Sequence, residues 1–236
     1  MIDEFARHGC TILEADTDGI YLSSDVYFDR PEALLEKVVG VLPPGIELEY
    51  DGRYEAMFCY KAKNYALYDG KKVTIRGSAL RSRGIEPYLK KLGNQLIRFL
   101  VGASAESPLG LVDDYRAKLA ARALPVTEVA KAEVLSMNPD AYQRFIEGGG
   151  KPRRASAEAA LLMAKRPRMG ERVAYYITAK EKGKTSDWQR ARPVALYDEK
   201  TAPYDPVYYG DKLDDWLERY GPFLGVKPAG EQGELF

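Results

Sequence analysis

The chain has 236 residues, 45% of them hydrophobic and 30% charged, which is typical of a globular protein that buries one large core or two modest ones. No apolar run approaches the roughly 20 residues that a membrane-spanning helix needs, and the N-terminus lacks the basic start and apolar core of a signal peptide. Cys10 and Cys59 are too few for a disulfide framework or a zinc site, so we expect a cytoplasmic protein with no membrane partner.

The formal net charge is zero, but its distribution along the chain is uneven. Residues 150–192 carry 12 Lys or Arg against 4 Asp or Glu, whereas residues 198–236 carry 4 against 9. The basic segment is either a solvated face or a contact surface for a polyanion. His8 is the only histidine, so a bound metal ion would have to be held by carboxylates.

The first 80 residues predict an α+β unit with an antiparallel sheet and a packed helix. Stretches rich in β-branched and aromatic residues at 11–15 and 20–23 flank an Asp-Gly turn and predict a hairpin. Pro31 then opens a helix over residues 32–42. Two further Asp-Gly pairs separate the predicted strands, which cover residues 47–50, 54–60, 65–68 and 73–75.

Beyond residue 84 the apolar periodicity becomes helical, so the sequence predicts a mainly helical second domain. One strand interrupts it, at residues 172–178. Asn138, Ser156 and Asp205 are expected to cap three of its helices. The predicted helices cover residues from 89 to 100, 109–123, 139–146, 156–165 and 206–220. We expect domain boundaries at residues 80 and 225, with residues 226–236 forming a tail.

The turn Asp16-Thr17-Asp18-Gly19 lifts two carboxylates to the tip of the predicted hairpin. Hard oxygen ligands held two residues apart on a stiff turn suit Mg²⁺, which keeps open positions for phosphate. Such a site can serve nucleotidyl transfer, in which metal ions stabilise the attacking and leaving oxygens. The alternative is a solvated hairpin tip. A helix-loop-helix calcium loop is excluded, because Tyr27 stands where a bidentate Glu is needed.

Three further segments complete a recognisable order of motifs. A Lys- and Tyr-rich stretch covers residues 60–67, Val73-Thr74-Ile75-Arg76-Gly77 follows it, and residues 203–209 read Pro-Tyr-Asp-Pro-Val-Tyr-Tyr. With the Asp-Thr-Asp hairpin in front, this order resembles the C-terminal part of a family B DNA polymerase, namely the second half of the palm followed by the thumb. The resemblance implies that residues 1–80 are palm and residues 81–225 thumb.

The resemblance also implies roles for individual residues. Asp18 matches the metal-ligating aspartate of the catalytic motif, and Asp16 matches its less directly bound partner. Lys61, Lys63 and Tyr65 match positions that hold the primer strand, although an exposed edge strand with protective lysines is the alternative. Further DNA contacts are expected from Arg76, Arg83, Lys151, Arg153, Arg154, Lys165, Arg166 and Arg168.

The family's second catalytic aspartate and its nucleotide-binding helix have no counterpart in this sequence. One carboxylate pair cannot by itself hold two metal ions and a triphosphate. We therefore expect no polymerisation of dNTPs on primer-template DNA by this chain alone. The missing motifs would come from an N-terminal polymerase polypeptide, whether the chain is a split subunit or a fragment.

The last five residues, Gln232-Gly233-Glu234-Leu235-Phe236, are similar to the bacterial sliding-clamp-binding peptide Gln-x-x-Leu-Phe. The resemblance implies clamp binding by Gln232, Leu235 and Phe236, a bacterial source and a location at the nucleoid, although three fixed positions also match by chance. The competing function for the whole chain is a non-catalytic accessory protein that binds DNA and the clamp. A metal-dependent nuclease ranks last, because the usual additional carboxylates and histidines are lacking.

Overall fold

The computed structural model describes residues 1–16, 19–81, 84–181, 183 and 186–226. They form two compact units: one contains residues 1–81 and 97–105, and the other contains the described residues of 84–96 and 106–226. The fold is mixed α+β. The predicted domain boundaries and their assignment to palm and thumb stay predictions.

The first unit contains two small antiparallel sheets, where the sequence predicted one. Strands β1 and β2 form a hairpin, and β3, β4 and β5 form a meander in that order. The helices are α1, α2 and the short α3. Their bounds are α1 Ile2–Arg7, β1 Thr11–Asp16, β2 Gly19–Ser23, α2 Pro31–Val39, β3 Ala56–Lys61, β4 Asn64–Tyr68, β5 Val73–Arg76 and α3 Ser78–Arg81.

Two apolar clusters hold the first unit together. Phe5, Cys10, Tyr27, Leu34 and Val38 form one beneath the hairpin and α2. The other contains Ala66, Leu80, Ile97 and Val101, which pack against one face of the meander. The opposite face of the meander contacts the hairpin, because the Cys59 thiol of β3 donates to the Leu13 carbonyl of β1 over 3.8 Å.

The prediction of a strand at residues 47–50 is wrong, because residues 46–54 are irregular. Only Leu48 of that stretch packs against the core beneath α2. Its alternating pattern meets no partner strand among the described residues, and a strand requires one for its backbone hydrogen bonds. The turn at Asp69-Gly70 is confirmed: it joins β4 to β5, and Asp69 Oδ1 accepts from the Lys71 and Lys72 amides.

The second unit is helical with one three-stranded antiparallel sheet, ordered β6-β7-β8. The sequence predicted only its middle strand. The element bounds, including helix α4 that enters the first unit at Ile97, are α4 Pro87–Leu100, α5 Leu109–Ala120, α6 Val126–Val129, β6 Lys131–Val134, α7 Pro139–Glu147, α8 Ala155–Leu161, β7 Arg172–Ile177, α9 Asp187–Arg190, β8 Ala191–Pro193 and α10 Pro206–Tyr220.

Two of the three predicted caps differ from expectation. Asp205 caps α10 as predicted, because its carboxylate accepts from the Val207 and Tyr208 amides. Asn138 occupies the N-cap position of α7, but its Oδ1 accepts from the Met169 amide instead. Ser156 is a buried residue inside α8, where its hydroxyl donates to Glu133 of β6, so the predicted cap is wrong. Helix α8 also ends at Leu161, short of residue 165.

Candidate functional site

The predicted carboxylate pair lies at the tip of the β1–β2 hairpin, where Asp16 pairs with Gly19. The Asp16 side chain is 38% exposed. Asp18 falls outside the described residues, so its predicted position next to Asp16 stays a prediction. Within the described part of the chain, no three His, Cys, Asp or Glu side chains group closely enough to hold a metal ion.

The Lys- and Tyr-rich segment contains a tight hairpin turn between the strands predicted at residues 54–60 and 65–68. Strand β3 ends at Lys61, β4 begins at Asn64, and these two residues pair across the turn. Lys63 has the left-handed backbone angle φ 62° that reverses the chain there. The three predicted DNA-binding side chains of the segment therefore come from a strand end, a turn and the next strand.

The turn contacts the carboxylate hairpin through Lys63. Its Nζ lies 2.8 Å from Asp16 Oδ1. Its backbone N–H donates to Glu14 Oε1 over 2.9 Å. Glu14 and Asp16 are two residues apart on β1, so their side chains lie on the same face of that strand. One residue of the turn thus holds two carboxylates of the hairpin.

A tyrosine pair forms a second link between the meander and the hairpin. The Tyr65 hydroxyl of β4 donates to the Tyr21 hydroxyl of β2 over 3.2 Å, and the ring centroids are 5.1 Å apart. Burial raises the pKa of Tyr21 to about 12. Arg76 lies near enough to oppose this rise electrostatically. The Tyr21 phenol is therefore a neutral hydrogen-bonding group at neutral pH.

Arg76 and Lys61 flank these two links. Arg76 is exposed at the end of β5 and lies directly opposite Tyr65 in the meander. Lys61 is exposed as well, with its Nζ 5.3 Å from the ring centroid of Tyr60. The structure thus brings Asp16, Lys61, Lys63, Tyr65 and Arg76 into the first unit. Arg83 lies outside the described residues.

Three arginines of the predicted basic segment are held within the second unit. Arg153 pairs with Glu158 at 3.1 Å and stacks 4.4 Å above the Trp188 ring centroid. Arg166 pairs with Asp140 of α7. Arg154 donates to the Ser136 hydroxyl over 3.1 Å. Carboxylates therefore offset part of the positive charge that the sequence suggests.

Three other predicted DNA-binding cations of the segment are more accessible to a ligand. Lys151, Lys165 and Arg168 are exposed, and none has a carboxylate within ion-pair distance in the described part of the chain. Lys151 and Arg154 line a hollow of about 140 Å³ beside Tyr142. Exposed cationic groups offer contacts that position a phosphate backbone without reading bases.

The predicted clamp-binding residues Gln232, Leu235 and Phe236 lie outside the described residues. The part of the chain that is described contains no helix with both the length and the apolar character needed to cross a membrane.

Sequence reasoning missed Glu14, Tyr21 and Gly77. Gly77 has φ 85°, and a Cβ there would lie 2.7 Å from the Cα of Asn64, so only glycine lets the turn approach this closely. Glu14 was detectable from its spacing of two residues before Asp16 on a predicted strand. Tyr21 had no such signal, because its role depends on Tyr65 in a different sheet.

Comparison with known proteins relates this geometry to one class of enzyme. The chain is 26% identical over 210 residues to a DNA polymerase of Thermococcus kodakarensis and to one of Thermococcus gorgonarius, each alignment covering 86% of this chain. A polymerase of Thermococcus aggregans is 27% identical over 207 residues. This chain spans only 12%, 26% and 11% of the respective relatives. No family model matches the chain.

Among solved structures, the family B DNA polymerase of the hyperthermophilic archaeon Pyrobaculum calidifontis aligns with a TM-score of 0.69 and 22% identity. The alignment covers 96% of this chain and 28% of that one. The relatives named here are archaeal, so they give no support to a bacterial source. Over most of its length, the chain is homologous to part of the archaeal DNA polymerases, and it has the fold of a segment of a family B DNA polymerase.

Proposed function

We propose that this chain is the palm and thumb module of a DNA-directed DNA polymerase. The observation that supports this best is the meeting of two motifs distant in sequence. Bonds between residues 49 and 44 positions apart join the Lys-Tyr turn to the carboxylate hairpin, at Lys63–Glu14 and Tyr65–Tyr21. Homology to polymerases over most of the chain supports the same function.

In this proposal, Asp18 and Asp16 supply carboxylates to a Mg²⁺ site. The donor set fits a hard cation, because carboxylate oxygens are its preferred protein ligands. Bound Mg²⁺ would stabilise negative charge on the phosphates of an incoming dNTP. A polypeptide with the second catalytic aspartate and the nucleotide-binding helix completes the site, so we expect this chain to be inactive alone.

The predicted DNA-binding residues, most of them cations, hold primer-template DNA. Lys61, Tyr65, Arg76 and Arg83 contact the primer-template near the carboxylates. Lys151, Arg153, Arg154, Lys165, Arg166 and Arg168 follow the duplex phosphates. The terminal residues Gln232, Leu235 and Phe236 bind a sliding clamp, in which a few apolar anchors carry most of the contact. The protein works at the nucleoid in the cytoplasm.

Primer extension with Mg²⁺ tests the proposal. The chain is assayed alone and then with a co-expressed polypeptide that carries the missing polymerase motifs. We expect extension only in the mixture, and we expect Asp18→Ala to abolish it. Asp25→Ala serves as the matched control, because Asp25 is an exposed aspartate in the loop after β2, away from the hairpin tip. Extension by the Asp18→Ala mixture would contradict the assigned role.

Binding to primer-template DNA is measured in parallel over a range of salt concentrations. The logarithm of the binding constant should fall by about 0.9 for each phosphate neutralised, per unit of log salt. Salt-dependent binding without extension in the mixture would favour the alternative function, a non-catalytic accessory protein that binds DNA and the clamp. Binding that does not depend on salt would contradict both functions.

A further inference from the structure

Lys63 makes two independent bonds to the same strand of the carboxylate hairpin. Its ammonium pairs with Asp16, and its backbone N–H donates to Glu14. The Lys63 side chain is 69% exposed and the Asp16 side chain is 38% exposed. An isolated exposed ion pair contributes little to the free energy of unfolding. We therefore expect this contact to act by fixing the positions of the groups that it joins.

The backbone of Lys63 is held in an unfavourable conformation. A residue other than glycine rarely adopts a positive φ, and Lys63 has φ 62°. Such conformations persist only where the surrounding structure enforces them, and they concentrate at functional sites. Asparagine and glycine adopt this backbone conformation at a lower free-energy cost than lysine.

Contacts of Asn64 and Gly77 hold Lys63 in this conformation. Asn64 Oδ1 accepts from the Ala79 amide over 2.8 Å, and Asn64 Nδ2 donates to the Ala62 carbonyl over 2.9 Å. Gly77 packs so closely that a Cβ there would overlap the Lys63 carbonyl and Asn64. The turn is therefore a rigid support from which the Lys63 side chain reaches the hairpin.

We infer that Lys63 is a positioning residue for the carboxylate hairpin, in place of the direct primer contact that the resemblance implies. It acts through Asp16 and Glu14, fixing strand β1 of the hairpin relative to the β3–β5 meander. The inference deepens the proposed function, since it names the residue that orients Asp16, one of the two predicted metal-binding aspartates. The positioning itself is a property of the chain without DNA and can be measured there.

Hydrogen exchange of the chain without DNA tests the positioning. In Lys63→Asn the side chain accepts the left-handed backbone, so the turn is retained while the ammonium is lost. We expect amides of residues 11–23 to exchange about threefold faster, as in a locally loosened segment. Asp16→Asn should give the same acceleration, and the double variant should add nothing, because the two residues act through one contact.

Two variants control the exchange experiment. Lys63→Arg keeps a cation at this position and should retain most of the protection of the hairpin amides from exchange. Lys71→Asn removes one positive charge from the exposed turn at the other end of the meander and should leave the hairpin unchanged. Unaltered exchange in Lys63→Asn, or additive effects in the double variant, would overturn the inference.

Salt-dependent DNA binding separates this inference from the proposed function. Lys61→Gln should reduce the salt slope by about 0.9, the loss of one phosphate contact. Lys63→Asn should weaken binding while leaving that slope unchanged. A reduced slope in Lys63→Asn with normal hairpin exchange would mean that Lys63 contacts phosphate directly. Absence of DNA binding in every variant would refute the proposed function, while the exchange result would still decide the role of Lys63.

Discussion

Two ion pairs of the molecule differ strongly in their burial. Arg190 and Asp205, in the second unit, are 2.9 Å apart with side chains only 2% and 8% exposed. Lys63 and Asp16, in the first unit, are 2.8 Å apart with side chains 69% and 38% exposed. The distances are nearly equal, yet water screens one pair and is excluded from the other.

The buried pair is part of a connected network. Arg190 also donates to the Thr178 carbonyl and to Asp187, while Asp205 caps α10 through its other oxygen. Removing one member leaves a buried charge without its partner, which is costly. Breaking the exposed pair should change the free energy of unfolding only slightly. The comparison teaches that similar contacts can serve stability in one unit and the orientation of functional groups in the other.

The largest effect is expected for Arg190→Met. The substitution leaves the buried Asp205 carboxylate without its counter-charge and should cost about 3–5 kcal/mol in the free energy of unfolding. Urea unfolding followed by tryptophan fluorescence measures this in the second unit, because Trp188 and Trp216 both lie there. Arg192→Met is the control, since among the described residues Arg192 has no carboxylate partner and donates to the nearby carbonyls of Gln189 and Ala191. Equal losses in the two variants would contradict the distinction.

Gly77→Ala should give the next largest effect. It combines strain at φ 85° with overlap against the Lys63–Asn64 turn, for a loss of about 3 kcal/mol in the first unit. Gly9→Ala isolates the strain, because Gly9 has φ 77° with open space around its Cβ position, and should lose about 1 kcal/mol. Hydrogen exchange of β4 reports both losses. Similar losses would show that the turn tolerates a Cβ.

Tyr21→Phe should cost about 1 kcal/mol, the usual contribution of one hydrogen bond, since Tyr65 loses its acceptor. The pKa of Tyr21 is raised from 10.0 to about 12 in the folded chain. Its neutral form is therefore favoured by folding, so this stability is fully present below pH 10 and is lost as the pH rises towards 12. Unfolding measured across this range should lose part of its alkaline dependence in the variant.

Tyr54→Phe is the control for the tyrosine pair. Its ring lies 6.3 Å from that of Tyr21, but the Tyr65–Tyr21 hydrogen bond does not involve it. A larger effect for Tyr54→Phe than for Tyr21→Phe would mean that ring packing, and not the hydroxyl pair, links the two sheets.

The smallest effect is expected in the salt dependence of DNA binding, for substitutions of two neighbouring cations of the basic segment. Lys165→Gln should reduce the salt slope of DNA binding by about 0.9, whereas Arg166→Gln should reduce it by less. The physical reason is that Asp140 already offsets the charge of Arg166. Equal slopes for the two variants would mean that DNA displaces Asp140 and uses both cations.

The sequence by itself determined the features that depend on neighbouring residues. Asp16 to Gly19 predicted the first hairpin, Asp69-Gly70 predicted the turn between β4 and β5, and Asp205 predicted the start of α10. Turn chemistry and capping act within a few residues, so they can be read from the chain. The same local signals fixed the mixed α+β class.

Only the tertiary structure decided which groups meet. It placed the Lys63 ammonium on Asp16 and offset the charge of Arg166 with Asp140, and it buried Ser156 against Glu133. It also paired β6 and β8 with β7, although both edge strands are too short to stand out in the sequence. These contacts join residues far apart in the chain, and their geometry follows from side-chain packing, which periodicity does not encode.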